Sequence, residues 1–339
     1  MTPAIFGCSG PELTPDERAF FRDADPAGYI LFGRNCVDRV QLRRLTDDLR
    51  SIHGRDRLLV SIDQEGGRVA RLRPPHWSAY PSGRALADLY DIAPASAIVA
   101  ARSNAEAMGL ELSAMGITVT YHPPLDLLHP GAHSVIGDRA LGSEPMQVAA
   151  LGRAILDGLH AGGVSGCIKH MPGHGRSTVD THEEMPTVHA SPDELERDLA
   201  PFKALSQARI GMTGHLLFPC WDGERVSTFS PTIVQDIIRE TIGFGGLLLS
   251  DDIDMGALSG TIPERSAKAH AAGCDIVLNC WANMADMQGI CEVLPAMSKV
   301  ISDRLERAIE LTGMIDSIPD AHRELLARRD ALLALKDAA

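Results

Sequence analysis

Short apolar runs ending in a polar residue or glycine recur along this chain from one end to the other, with helix-like stretches between them. Nothing else in the sequence constrains the fold as tightly, because that alternation is the signature of βα units feeding a parallel sheet. The strand runs are residues 4–8, 29–32, 58–62, 117–121, 164–168, 210–213, 247–250 and 276–279. Eight parallel strands close a barrel, so the fold class predicted is α/β, a single (β/α)8 TIM barrel with room for irregular strands. Several runs are apolar on consecutive residues, as strands covered on both faces require.

Between the strands, 37–50 places Val37, Val40, Leu42, Leu45 and Leu49 largely on one helical stripe, with arginines and aspartates opposite. Ser191-Pro192-Asp193-Glu194 supplies a serine N-cap, a proline at the first helical position and a glutamate able to close a capping box. Ser230-Pro231 opens another helix the same way, and Gly273 reads as a helix stop before the last strand. No linker, charge block or fixed-period repeat marks a boundary. One domain over 1–339 is expected, with a charged helical tail, about 300–339, packing outside the barrel and serving to cover and solubilise it.

Composition excludes several classes. With 45% hydrophobic and 23% charged residues the chain buries a sizeable core, which excludes global disorder. Acidic residues outnumber basic ones, 45 against 32, and a formal charge of −13 speaks against bulk nucleic-acid binding. No apolar run reaches membrane-spanning length, and residues 1–10 lack a basic n-region and a long apolar core, so a cytoplasmic protein with no membrane partner is expected. Seven scattered cysteines without a C-x-x-C pair fit neither a disulfide framework nor a zinc knuckle, and read as reduced core thiols.

Barrel active sites lie at the C-terminal strand ends, and polar residues collect there in this sequence. Asp63-Gln64-Glu65-Gly66-Gly67-Arg68 and Arg71 follow the third run, Lys169-His170 the fifth, His215 the sixth and Ser250-Asp251-Asp252 the seventh. Taken singly, an aspartate after a strand is more often a cap or turn residue, and paired glycines can simply serve a tight turn. Recurrence at one end of several strands favours a site.

From Lys169 the chain runs through Pro172, Gly173 and Gly175 and ends in Asp180-Thr181-His182. A carboxylate two residues from a histidine can accept its N–H, fix its tautomer and leave the other nitrogen to give and retrieve a proton. Asp180 and His182 are therefore predicted as a general acid/base dyad on a mobile loop. A histidine that only caps the loop is the plain alternative. A metal site built from His170, His174, His182 and His189 is the other, but no H-E-x-x-H pattern or cysteine pair accompanies them, so neither metal nor cofactor is expected.

The run Lys-His-x-Pro-Gly-His-Gly-x-x-x-x-Asp-x-His, with Asp-Gln-Glu-Gly-Gly-Arg-Val upstream and Ser-Asp-Asp downstream, resembles family 3 glycoside hydrolases. Within them it is similar to the single-domain bacterial β-N-acetylglucosaminidases (β-hexosaminidases) of the NagZ type. The resemblance spans most of the chain in order and spacing. It implies Asp251 as nucleophile, His182 as an unusual histidine acid/base and Asp180 as its partner. Substrate contacts would then fall on Asp63, Arg71, Lys169, His170 and Arg139, the last within Ile136-Gly137-Asp138-Arg139.

The implied activity is that of a retaining exo-β-N-acetylglucosaminidase acting through a covalent glycosyl-enzyme. It would release terminal N-acetylglucosamine from GlcNAc-1,6-anhydroMurNAc muropeptides during peptidoglycan recycling, as a monomer. A phosphorylase or transglycosylase is an alternative, because a neutral imidazole does not repel phosphate. A non-catalytic sugar-binding barrel is another, but it would need none of Asp251, Asp180 and His182. Met171, Leu141, His122-Pro123-Pro124 and the segment after Met255 depart from the family pattern and bear on substrate fit beyond the cleaved sugar.

Overall fold

Eight parallel strands close on themselves in chain order in the computed structural model, which describes residues 1–131, 135–177 and 186–338. They are β1 (Thr2–Gly7), β2 (Pro26–Leu31), β3 (Leu59–Ile62), β4 (Val119–Thr120), β5 (Ser165–Met171), β6 (Ile210–Thr213), β7 (Leu247–Asp252) and β8 (Ile276–Asn279). The ring shuts where β1 pairs with β8, Ala4 beside Val277 and Ile5 beside Leu278. All eight predicted runs are strands, and helices pack around them as a (β/α)8 barrel.

The consecutive apolar residues divide between two cores. Ile5, Leu59, Cys167, Leu247 and Leu249 point inward, into a cluster that fills the barrel. Their neighbours Ala4, Phe6, Leu58, Val60, Ile168 and Leu248 belong to a second cluster between the strands and the helices. Because side chains alternate along a strand, burial on both sides demands an unbroken apolar run.

Most strand boundaries shift from the sequence reading, and three elements differ for physical reasons that the structure shows. Helix Arg39–His53 buries Leu42, Leu45 and Leu49, but Val40 is 82% exposed and Val37 lies ahead of the helix, exposed. Strand β5 continues through Lys169 and His170 to Met171, since the Leu125 N–H donates to the Lys169 carbonyl at 2.7 Å and extends the pairing past the apolar run. The helix opened by Ser230, whose hydroxyl accepts the Ile233 N–H at 3.1 Å, spans Ile233–Thr241 and is wound as a π-helix.

The capping box at Ser191 forms, with the Glu194 carboxylate accepting the Ser191 N–H at 2.9 Å. Gly273 ends helix Ile262–Ala272 at φ 114°, where a Cβ would lie 2.6 Å from Gln235.

The tail divides in two. Helix Lys299–Ile309 lies across the N-terminal mouth of the barrel, where Ile301, Leu305, Ala308 and Ile309 join the interior cluster and the Ser165 hydroxyl donates to the Ala308 carbonyl at 2.6 Å. Helix Ala321–Leu333 packs against helix Pro94–Ala114, where Arg329 reaches Asn104 Oδ1 at 3.1 Å. All seven cysteines are free; Cys8, Cys167, Cys274 and Cys280 are buried, whereas Cys220 is exposed. Among the described residues no helix is long and apolar enough to cross a membrane.

Candidate active site

At the C-terminal ends of the strands a cavity of about 250 Å³, open to solvent, is lined by Asp63, Arg71, Arg139, Lys169, His170 and Asp251 together with Phe32, His174, Asp252 and Cys280. Six of the eight residues expected to act on or contact substrate thus share one hollow. Asp180 and His182 lie outside the described residues.

The loop after β3 shows why its residues occur together. Gln64, buried, accepts the backbone N–H groups of Arg71 (2.9 Å) and Leu72 (3.1 Å) on Oε1 and donates to the Leu72 carbonyl (2.9 Å), which ties the far end of the loop to its start. Gly66 and Gly67 adopt φ of 104° and 55°, and a Cβ on Gly66 would sit 2.2 Å from the Pro81 carbonyl oxygen. Only glycine fits that turn without strain. It delivers Arg71 beside Asp63, Nη2 to Oδ2 at 3.0 Å, so the ion pair and the cavity lining coexist in the same two residues.

Glu65 is the hub that sequence reasoning passed over. Its carboxylate accepts Arg139 Nε at 2.8 Å and Nη2 at 2.7 Å, and lies 2.8 Å from Lys169 Nζ. Burial alone would raise its pKa, but the two cations hold the carboxyl well below the usual carboxylate range. Lys169, also buried, has its pKa raised because Glu65 and Asp63 outweigh the cost of desolvation. Both cations are thereby fixed at the cavity wall as charged donors.

Asp126 does the same for His170. Its Oδ2 lies 2.7 Å from His170 Nδ1, and Oδ1 accepts the backbone N–H groups of His170 (3.2 Å) and His174 (2.7 Å). Burial works against ionisation of Asp126, yet the neighbouring imidazoles and the His174 N–H keep its carboxyl below the ordinary value. The His170 Nδ1–H is thus engaged, and Nε2 is the nitrogen left for the cavity.

Asp251 stands at the end of β7. Burial would push its carboxyl up, but the imidazoles of His170 and His215, the Asp252 N–H at 2.8 Å from Oδ1, and Lys169 together hold it below the usual range. Asp252 next to it behaves oppositely: burial and the Asp254 carboxylate raise its pKa. Asp254 accepts Asn279 Nδ2 (2.8 Å) and the Cys280 N–H (3.1 Å), which links the loop after β7 to that after β8.

His215 lies behind the cavity wall, fully buried. Its Nε2 lies 2.9 Å from the Asp252 carbonyl and its Nδ1 2.8 Å from the Thr228 hydroxyl. Burial lowers its pKa, and because a carbonyl can only accept, the Nε2–H donates to it. It braces the backbone just after Asp251. The position after β6 had marked His215 as a candidate, but nothing local to it, to Glu65 or to Asp126 reveals which distant groups they meet. Among the described residues no group of three His, Cys, Asp or Glu side chains could hold a metal ion.

The arrangement suits chemistry on a polyhydroxylated, electron-poor centre: the ionised Asp251 carboxylate stands in an open hollow among fixed charged donors. The glycosyl hydrolase family 3 N-terminal domain matches residues 12–311. A β-hexosaminidase of Bordetella avium is 36% identical over 82% of this chain and 80% of that protein. One from Chromobacterium violaceum is 36% identical over 90% of this chain and 86% of its own. NagZ from Neisseria gonorrhoeae in complex with N-trifluoroacetyl-D-glucosamine superposes with a TM-score of 0.89 at 31% identity, covering 98% of each chain. The same protein in complex with zinc ion superposes at 0.86 with 30% identity. Barrel, cavity and relatives agree, and the chain belongs to glycosyl hydrolase family 3, among its NagZ-type enzymes.

Proposed function

We propose that this β-N-acetylhexosaminidase works as a retaining exo-β-N-acetylglucosaminidase, with Asp251 as nucleophile and His182, supported by Asp180, as acid and then base. The observation that carries the reading is Asp251 itself, a carboxylate favoured in its ionised form, in the same hollow as Asp63, Arg71, Arg139, Lys169 and His170. Ionised beneath an anomeric carbon, such a group stabilises the oxocarbenium-like transition state and captures it as a covalent glycosyl-enzyme. The imidazolium of His182 gives its proton to the departing oxygen. The neutral ring then takes one from water, which attacks the anomeric carbon and releases Asp251, so two inversions leave the configuration retained.

Asp63, Lys169 and Arg139 would hold the sugar hydroxyls, and His170 Nε2 would serve the same ring. The fixed charges around Glu65 make these contacts directional. The physiological substrate is a muropeptide fragment carrying terminal N-acetylglucosamine on an anhydro-muramic acid, met in the cytoplasm during cell-wall recycling, with the chain acting as one barrel unit and as a monomer. The β-hexosaminidase relatives and the sugar-analogue complex of the Neisseria protein support the N-acetylglucosamine part of this assignment.

The test is turnover of an aryl β-N-acetylglucosaminide by the whole chain and by Asp251→Ala. Loss on the order of 10³-fold or more with the fold intact is expected, as for removal of other nucleophiles. Substantial remaining activity removes Asp251 from the role. Product released with inverted configuration excludes the covalent intermediate, and turnover that depends strictly on added phosphate makes the enzyme a phosphorylase.

A further inference from the structure

Of the chain's three tryptophans, Trp77 is buried and Trp221 half-buried, whereas Trp281 is 70% exposed. It is the one aromatic among the exposed large apolar side chains of the described residues. Isolated exposed apolar residues are ordinary on protein surfaces. Trp281 differs in where it stands: it follows directly on Cys280, which lines the cavity at the end of β8.

The backbone that carries it is clamped on both sides. The Cys280 N–H donates to Asp254 Oδ2 at 3.1 Å, and the Cys280 carbonyl accepts Arg34 Nη2. Gly7 packs so closely that a Cβ there would lie 2.3 Å from the Cys280 carbonyl oxygen. Two residues on, Asn283 caps helix Met284–Val293 by accepting the Ala285 and Asp286 N–H groups. Between these anchors Ala282 adopts φ 58°, a conformation a residue with a Cβ rarely takes up. Held strain of this kind concentrates at working sites. A large, rigid aromatic surface is thus presented to solvent one residue beyond the cavity lining, on a segment with little freedom to fold it away.

The cavity's own lining changes in the same direction. Its floor carries the charged groups Asp63, Lys169, Arg139 and Asp251, whereas toward this sector stands Phe32, with the Arg34 and Arg71 guanidinium groups 4.8 and 5.2 Å from its ring centre. The charged floor suits one sugar ring and its hydroxyls. A second ring, joined through the bond to be cut, must project toward the mouth, and the C–H face of a pyranose is the apolar surface it can offer an indole.

We propose that Trp281 is the platform on which the sugar beyond the scissile bond stacks, a leaving-group subsite built by the loop after β8. This rests on the hydrolase reading above and adds to it the element that prefers a glycosidic over a small leaving group.

The full chain, Trp281→Ala and Trp281→Phe are compared on N,N′-diacetylchitobiose and on N-acetyl-β-D-glucosaminyl fluoride, whose leaving group is a single atom with no ring to stack. For Trp281→Ala the fall in kcat/KM on the disaccharide should exceed that on the fluoride by about tenfold, carried mainly by KM, and Trp281→Phe should recover most of it. Equal falls on the two substrates, or none on either, overturn the proposal.

Binding is read independently by acrylamide quenching of tryptophan emission in Asp251→Asn. The disaccharide should shield the exposed indole where N-acetylglucosamine alone does not, and no difference between the two ligands overturns the proposal as well. If the unmodified chain turns over neither substrate, the hydrolase reading is what fails, and the quenching titration still decides whether Trp281 meets a second sugar.

Discussion

Replacing Glu65 by glutamine keeps the shape of the side chain and removes the charge that two buried cations share. Its side chain is 4% exposed, with contacts of 2.7 and 2.8 Å to Arg139 and 2.8 Å to Lys169. At an effective dielectric of about 20, each charge pair is worth roughly 4 kcal/mol before desolvation. The carboxylate's own desolvation, several kcal/mol, is recovered when it is neutralised. What does not relax is Arg139 and Lys169 left facing each other, with Asp63 Oδ1, 3.4 Å from Lys169, as the anion remaining nearby. A net loss of about 3–5 kcal/mol follows, the range seen when one partner of a buried pair is removed.

In urea, with a slope of about 3 kcal/mol/M, the unfolding midpoint should fall by about 1 M or more. A double-mutant cycle with Lys169→Met should return a coupling of about 1–3 kcal/mol. The loss should be fully present at neutral pH. Glu65 is held below its unfolded value, so its contribution exists above the unfolded pKa and disappears only as pH falls through the folded one. A Glu65→Gln protein within about 0.5 kcal/mol of the original, the range of an ordinary surface change, would show that packing rather than charge holds this wall and refute the argument.

His182→Ala should slow substrates with poor leaving groups by about 10²–10⁴-fold while sparing activated aryl glycosides, because only the former need a proton delivered; equal slowing of both would remove the acid role. Burial lowers the pKa of both His122 and His174 to about 4, against 6.5 for the free side chain. The unfolded chain therefore binds protons between those values that the native state refuses, and each ring contributes up to about 1.4 kcal/mol of lost stability per pH unit as pH falls through that window. Urea midpoints measured from pH 7 down to pH 4.5 should decline steeply and less so in His122→Gln; parallel curves would show that His122 titrates freely.

The barrel was readable because its strands announce themselves locally. An unbroken apolar run such as 247–249 needs no knowledge of its neighbours to be recognised, and the Ser191-Pro192 cap is complete within four residues. The strand-end polar residues were readable for the same reason, since topology alone sends them to one rim. The partners of Glu65, Asp126 and His215 were not. Glu65 meets Arg139, 74 residues on, and Lys169 beyond it, Asp126 meets His170 across 44 residues, and His215 meets the Asp252 carbonyl 37 residues away. No local pattern encodes such partners, because they are set by which strands lie side by side. Val40 misled in the opposite way: its spacing fitted the stripe, but it lies on the far side of a helix that begins at Arg39.

Helix Lys299–Ile309, laid across the barrel's N-terminal mouth, orders events during synthesis. Ile5 and Ala27, made near the start, share one apolar cluster with Leu305 and Ile309. A ribosome thus delivers the whole ring of strands before the stopper that seals it, and at about 5–20 residues per second the interval lasts on the order of seconds. Through that delay the lower layer of the interior cluster lacks the cover that Ile301, Leu305, Ala308 and Ile309 later supply.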